Sequence, residues 1–166
     1  MSKLDRWILG LVASVGALLP WATGAGVKLY LQAHGKPTLP WSSFVAPTDL
    51  LLEIPLTLWF ATPYLVLAVV ARTVFRGKRV PFLKTTSCGE RRAVVLFSLG
   101  LGSVCTIVTF KDIFWEFDPL YFVTPIPVAL PAIGIVVGWA VGLVAVMVTA
   151  HLRRRGHALP EQHRGT

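Results

Sequence analysis

The sequence predicts an all-α integral membrane protein: a four-transmembrane-helix bundle with both termini on the cytoplasmic side. Three observations predict it. Of the 166 residues, 54% are hydrophobic and only 14% charged, whereas a soluble domain carries roughly a quarter charged residues. The apolar residues gather into four long runs, and the basic residues gather between alternate runs.

The runs cover residues 7–27, 50–71, 93–110 and 126–150. At about 1.5 Å per residue, each crosses or nearly crosses a hydrocarbon core of about 30 Å. Glu53 is the single charge inside any of them. Backbone amides in lipid must satisfy one another within the segment, so each run is expected to be helical. The first run follows Lys3 and Arg6, as in a signal peptide, but it exceeds the roughly 7–15 apolar residues of a cleaved signal. It is therefore expected to remain as a first span. Residues 1–152 then form the transmembrane domain and 153–166 a basic cytoplasmic tail.

Orientation follows from the basic residues. Lys3 and Arg6 precede the first span; Arg72, Arg76, Lys78, Arg79, Lys84, Arg91 and Arg92 lie between the second and third; Arg153, Arg154, Arg155 and Arg164 follow the fourth. Only Lys28, Lys36 and Lys111 fall on the opposite side. Lysine and arginine stay with cytoplasmic loops, so the first side is assigned to the cytoplasm. The short loops favour a bacterial cytoplasmic (inner) membrane.

The outer side carries five acids (Asp49, Glu53, Asp112, Glu116 and Asp118) and many aromatic rings. Rings favour the headgroup region. Residues 111–119 are too apolar for a solvated loop. Two arrangements suit them: a short interfacial helix on the outer leaflet, ended by Pro119, or a cap over the bundle. Phe44–Pro47 and Phe122–Pro125 introduce the second and fourth spans with similar residues. Two tandem helical hairpins joined by the basic loop would explain this, as would shared membrane-entry grammar.

Candidate functional residues fall into three groups. Gly134, Gly138 and Gly142 repeat every fourth residue, so they share one face of the fourth span and let another backbone approach closely. The partner helix is either in the same chain or in another subunit. Asp49 and Glu53, with Asp112, Glu116 and Asp118, form a candidate ion or ligand site, because an ionisable group near the hydrocarbon is costly. Asp49 equally suits an N-cap, and Glu53 a first turn favoured by the helix dipole. Arg72, Arg76, Lys78, Arg79 and Arg153–Arg155 are expected to meet anionic headgroups.

The net charge of +8 is explained by topology and does not call for nucleic acid. No nucleophile elbow, phosphate-binding loop, HExxH or CxxC is present, and no pair of histidines faces across the membrane. No catalytic residue, metal or cofactor is therefore expected. Cys88 and Cys105 sit in a loop and in a span, and are expected to be free thiols. Size and topology are similar to those of lipoprotein signal peptidases. The paired membrane-edge aspartates of that family are missing, however: Asp112 and Asp118 share one loop, which excludes it. The remaining expectation is a small non-catalytic subunit or assembly factor of a larger membrane complex, in contact with lipids and with other subunits or further copies. The alternative is a small oligomeric ion channel or transporter with an acidic outer vestibule.

Overall fold

The computed structural model describes residues 1–36, 50–76, 87–116 and 124–158. They are helical almost throughout. The four helices are α1 (Lys3–Ala33), α2 (Leu50–Phe75), α3 (Cys88–Glu116) and α4 (Ile126–Ala158). All four are long and apolar enough to cross a membrane.

Local chemistry sets the ends. Ser2 and Asp5 form a capping box: the Asp5 amide donates to Ser2 Oγ (3.1 Å) and the Ser2 amide to Asp5 Oδ2 (2.7 Å), satisfying two otherwise orphaned donors. Ser87 and Glu90 repeat the device at the start of α3 (2.7 and 3.3 Å). At the other end of α1, Gly35 adopts φ 63°. The Lys36 amide then reaches Leu31 O (3.0 Å) and the Gly35 amide Gln32 O (3.1 Å). This Schellman geometry needs a residue that tolerates positive φ. Pro20, Pro55, Pro63 and Pro131 lie within helices, and neighbouring turns carry each helix past the missing donor.

Side-chain contacts give the packing directions. Trp21 donates to Thr57 (2.9 Å) and Gly16 meets Tyr64, so α1 and α2 run antiparallel. Tyr64 is hydrogen-bonded to Thr106, Phe60 meets Phe110 edge-on at 4.8 Å, and Arg91 reaches Val74 O. Helices α2 and α3 are therefore antiparallel too. Along α4, Gly134, Gly138 and Gly142 stand opposite Cys105, Phe97 and Val94 in turn, which makes α3 and α4 antiparallel. Helices α1 and α3 are parallel, joined at one end through Asp5–Arg92 and at the other through Tyr30–Trp115. The start of α1 and the end of α4 consequently lie at the same end of the molecule, called the terminal end below.

The core gathers Ile8, Val12, Tyr64, Leu67, Ala71, Val95, Leu99 and Ile135 from all four helices. Outside it, large apolar side chains project from every helix, Leu18, Val66, Val108 and Val136 among them. Both cysteines are free.

One expectation needs correcting. A separate short interfacial helix over 111–119 is not what the described part of that stretch forms; Lys111–Glu116 continue α3 without a break. No proline or glycine separates Phe110 from Glu116. Phe110 and Ile113 are both buried, so the same inward face simply extends for another turn and a half. Residues 117–119 lie outside the described residues.

Candidate functional site

The glycine face of α4 packs directly against α3, at Gly138 and Gly142 against its backbone. A Cβ built on Gly138 would stand 2.7 Å from the Phe97 carbonyl oxygen and 2.7 Å from Ser98 Cα. On Gly142 it would stand 3.0 Å from Val94 Cα, and on Gly134 2.6 Å from Cys105 Sγ. Ordinary carbon contacts need about 3.5–4.0 Å, so any side chain at these positions would wedge the helices apart. Gly102 returns the contact from α3, its missing side chain accommodating Ile135. Gly16 does the same for α1 against the Tyr64 ring.

Polar groups inside the packed helices are few and each is partnered. The described buried polar residues are Asp5, Ser98, Thr106 and Thr109. Ser98, Thr106 and Thr109 donate back to the carbonyls of Val94, Gly102 and Cys105, four residues earlier (2.7–3.0 Å). With its proton so engaged, the Thr106 oxygen accepts from Tyr64 Oη. Ser103 likewise donates to Leu99 O (2.7 Å). Hydroxyls folded back in this way hide their polarity within their own helix and, among the described residues, leave no line of open donors across the interior.

The terminal end holds the one ion pair between described side chains. Arg92 Nε lies 2.9 Å from Asp5 Oδ1, and Arg92 donates a second bond to Ser2 Oγ (3.0 Å). The Asp5 carboxylate is almost wholly buried. It closes the capping box with one oxygen and holds Arg92 with the other. Arg91, its neighbour, reaches across to Val74 O at the end of α2 (3.4 Å). Two adjacent arginines thus fasten α3 to α1 and to α2. In the sequence Asp5 carries no evident role and Arg92 reads only as one of the basic residues of the cytoplasmic side. The Ser-x-x-Asp pattern at residues 2–5 was the available signal.

At the opposite end, Tyr30 and Trp115 stack at 5.7 Å, His34 lies on Tyr30 at 4.1 Å, and Lys36 Nζ sits 5.0 Å above the Trp115 ring. Of the five acids read as an ion or ligand site, Asp112 is exposed on α3. Glu116 is the last residue of α3 and Glu53 lies in the first turn of α2. Asp49 and Asp118 lie outside the described residues. No cluster of three or more metal-ligating side chains occurs among the described residues. Of the basic set, Arg72 and Arg76 are exposed at the end of α2, and Arg153–Arg155 occupy the last turns of α4. Lys78 and Arg79 lie outside the described residues.

A shallow groove of about 570 Å3 runs along the outside of the α3–α4 pair. Leu96, Phe97, Gly100, Leu101 and Val104 line it from α3, Gly138 and Val141 from α4. Searches of protein-family models, curated proteins and solved structures returned no match for this chain.

Proposed function

We propose that this chain is a small, non-catalytic integral membrane subunit or assembly factor of a larger membrane complex. The observation that carries the reading is the contrast between interior and exterior. Inside, the described buried serine and threonine hydroxyls donate within their own helices, the Tyr64 hydroxyl is held by Thr106, and Asp5 is held by Arg92 and Ser2. Outside, all four helices present continuous apolar side chains. Recognition by such a molecule works through shape and apolar contact with neighbouring helices and lipids, which is how helices associate in a bilayer.

In the proposed arrangement the four helices form a bundle across a bacterial cytoplasmic membrane, with the terminal end in the cytoplasm. Supporting this is the charge carried by the two ends. Lys3, Arg6, Arg72, Arg76, Arg91, Arg92 and Arg153–Arg155 belong to the terminal end; Lys28, Lys36 and Lys111 belong to the other. Positive residues are retained on the cytoplasmic side during insertion. The Tyr30–Trp115 stack would then lie at the outer headgroup level.

Purification from native membranes in a mild detergent, with identification of every co-eluting chain, tests the functional reading. A subunit or assembly factor should elute with one or more other membrane polypeptides in fixed stoichiometry. Elution as an isolated chain would overturn it.

A further inference from the structure

We propose that the groove between α3 and α4 is a binding site for one acyl chain of an anionic phospholipid drawn from the leaflet on the terminal-end side. The inference rests on the reading that the helices span a bilayer. It does not rest on membership of a complex, and the two fail separately: lipid retention is measured on the purified chain whatever else co-elutes.

The groove is built by two glycines. Gly138, buried, forms its floor, where the α4 backbone touches the α3 backbone at Phe97 and Ser98. Gly100, exposed, opens its wall, with no atom within 4 Å of a Cβ built there. Every lining side chain is apolar, so the occupant must be apolar over the whole contact. Uncovered, this concavity would strand Leu96, Phe97, Val104 and Val141 around a void, a loss of dispersion contacts that packed matter avoids.

Length chooses among occupants. The α3 lining runs from Leu96 to Val104, about 12 Å along the axis. A helix from a second copy or another protein would cross the entire core of about 30 Å and meet the groove over only part of its length. A groove of under half that length suits a chain confined to one leaflet. It opens about 6 Å along α3 from Arg92 and reaches just past the helix midpoint, the depth occupied by the distal part of an acyl chain whose headgroup lies at the level of the terminal end. That end carries nine described lysines and arginines against the two acids Asp5 and Glu90. Anionic headgroups are favoured at such a surface.

The test uses the full-length protein reconstituted in nanodiscs of phosphatidylglycerol and phosphatidylcholine with identical acyl chains. It is then extracted in mild detergent, washed and analysed by native mass spectrometry. Wild type is expected to retain one phospholipid per chain, phosphatidylglycerol in preference to phosphatidylcholine. Gly100→Leu fills the groove at a position with free space, so its melting temperature in lipid-free detergent should be no lower than wild type. It should lose the retained lipid and the thermal shift that added phosphatidylglycerol gives wild type. Equal lipid retention by Gly100→Leu would overturn the site, as would a wild-type dimer that Gly100→Leu dissociates, since the groove would then seat a second copy. Equal retention of the two lipids would overturn the anionic assignment.

Discussion

Replacing Gly138 by alanine adds one methyl group at the crossing of α3 and α4, and the geometry says what that methyl meets. It would stand 2.7 Å from the Phe97 carbonyl oxygen and 2.7 Å from Ser98 Cα. Both are backbone atoms, and neither can turn aside. Restoring contacts of about 3.5–4.0 Å requires the helices to part locally by roughly 1 Å. Overpacking of that order costs about 1–3 kcal/mol. In a chain of this size each kcal/mol is worth about 2–4 °C of Tm. Alanine also raises helix propensity relative to glycine, which would mask part of the loss. Gly100→Ala supplies the control: it carries the same propensity gain and meets nothing within 4 Å. The expected result, read by thermal unfolding in mild detergent, is Gly138→Ala melting about 2–12 °C below Gly100→Ala. Coincident melting of the two variants would refute the close-packing argument.

Other perturbations follow the same contacts. Gly134→Ala presses on the Cys105 sulfur at 2.6 Å, so adding Cys105→Ala should recover part of its loss in Tm; no recovery would place the strain on the Leu101 carbonyl instead. Asp5→Asn leaves Arg92 without its carboxylate and should cost about 1–3 kcal/mol. A double-mutant cycle with Arg92→Gln should show the two losses overlapping, whereas simple additivity would mean the pair contributes nothing as a pair. Tyr64→Phe should cost only about 0.6 kcal/mol, because Thr106 keeps its bond to the Gly102 carbonyl; a loss several times larger would mean that the Tyr64 hydroxyl contributes more than an ordinary hydrogen bond between membrane helices. In intact cells a membrane-impermeant maleimide should reach Cys88, exposed at the terminal end, only after permeabilisation. Labelling of Cys88 from outside would invert the proposed orientation.

The spans were legible because lipid leaves the sequence little choice. A run such as 126–150 must be apolar on all sides, and its backbone must close on itself. Helix ends were less legible: α3 runs through Lys111 and Asp112 to Glu116, because Phe110 and Ile113 keep one face buried while the charges point outward. A change of polarity along the chain therefore does not end a helix when one stripe stays apolar. The glycine repeat on α4 was visible as spacing, but its partner was not, since spacing carries no information about which backbone lies opposite. Asp5 was the least legible. A single acid before the first span reads as ordinary flanking charge, and its role depends on Arg92, 87 residues away.

The two arginines at the start of α3 have a consequence for how the chain can be divided. Arg92 and Arg91 attach α3 to α1 and α2, and Tyr64–Thr106 and Phe60–Phe110 make further ties between the first helical pair and the second. Each of these joins residues that lie outside the peptide running between Arg76 and Ser87. Two half-chains, one ending after Arg76 and the other starting before Ser87, would carry complementary halves of every such tie. Produced together in one membrane, they should find each other and rebuild the whole, the carboxylate of one half reporting the arrival of the guanidinium of the other.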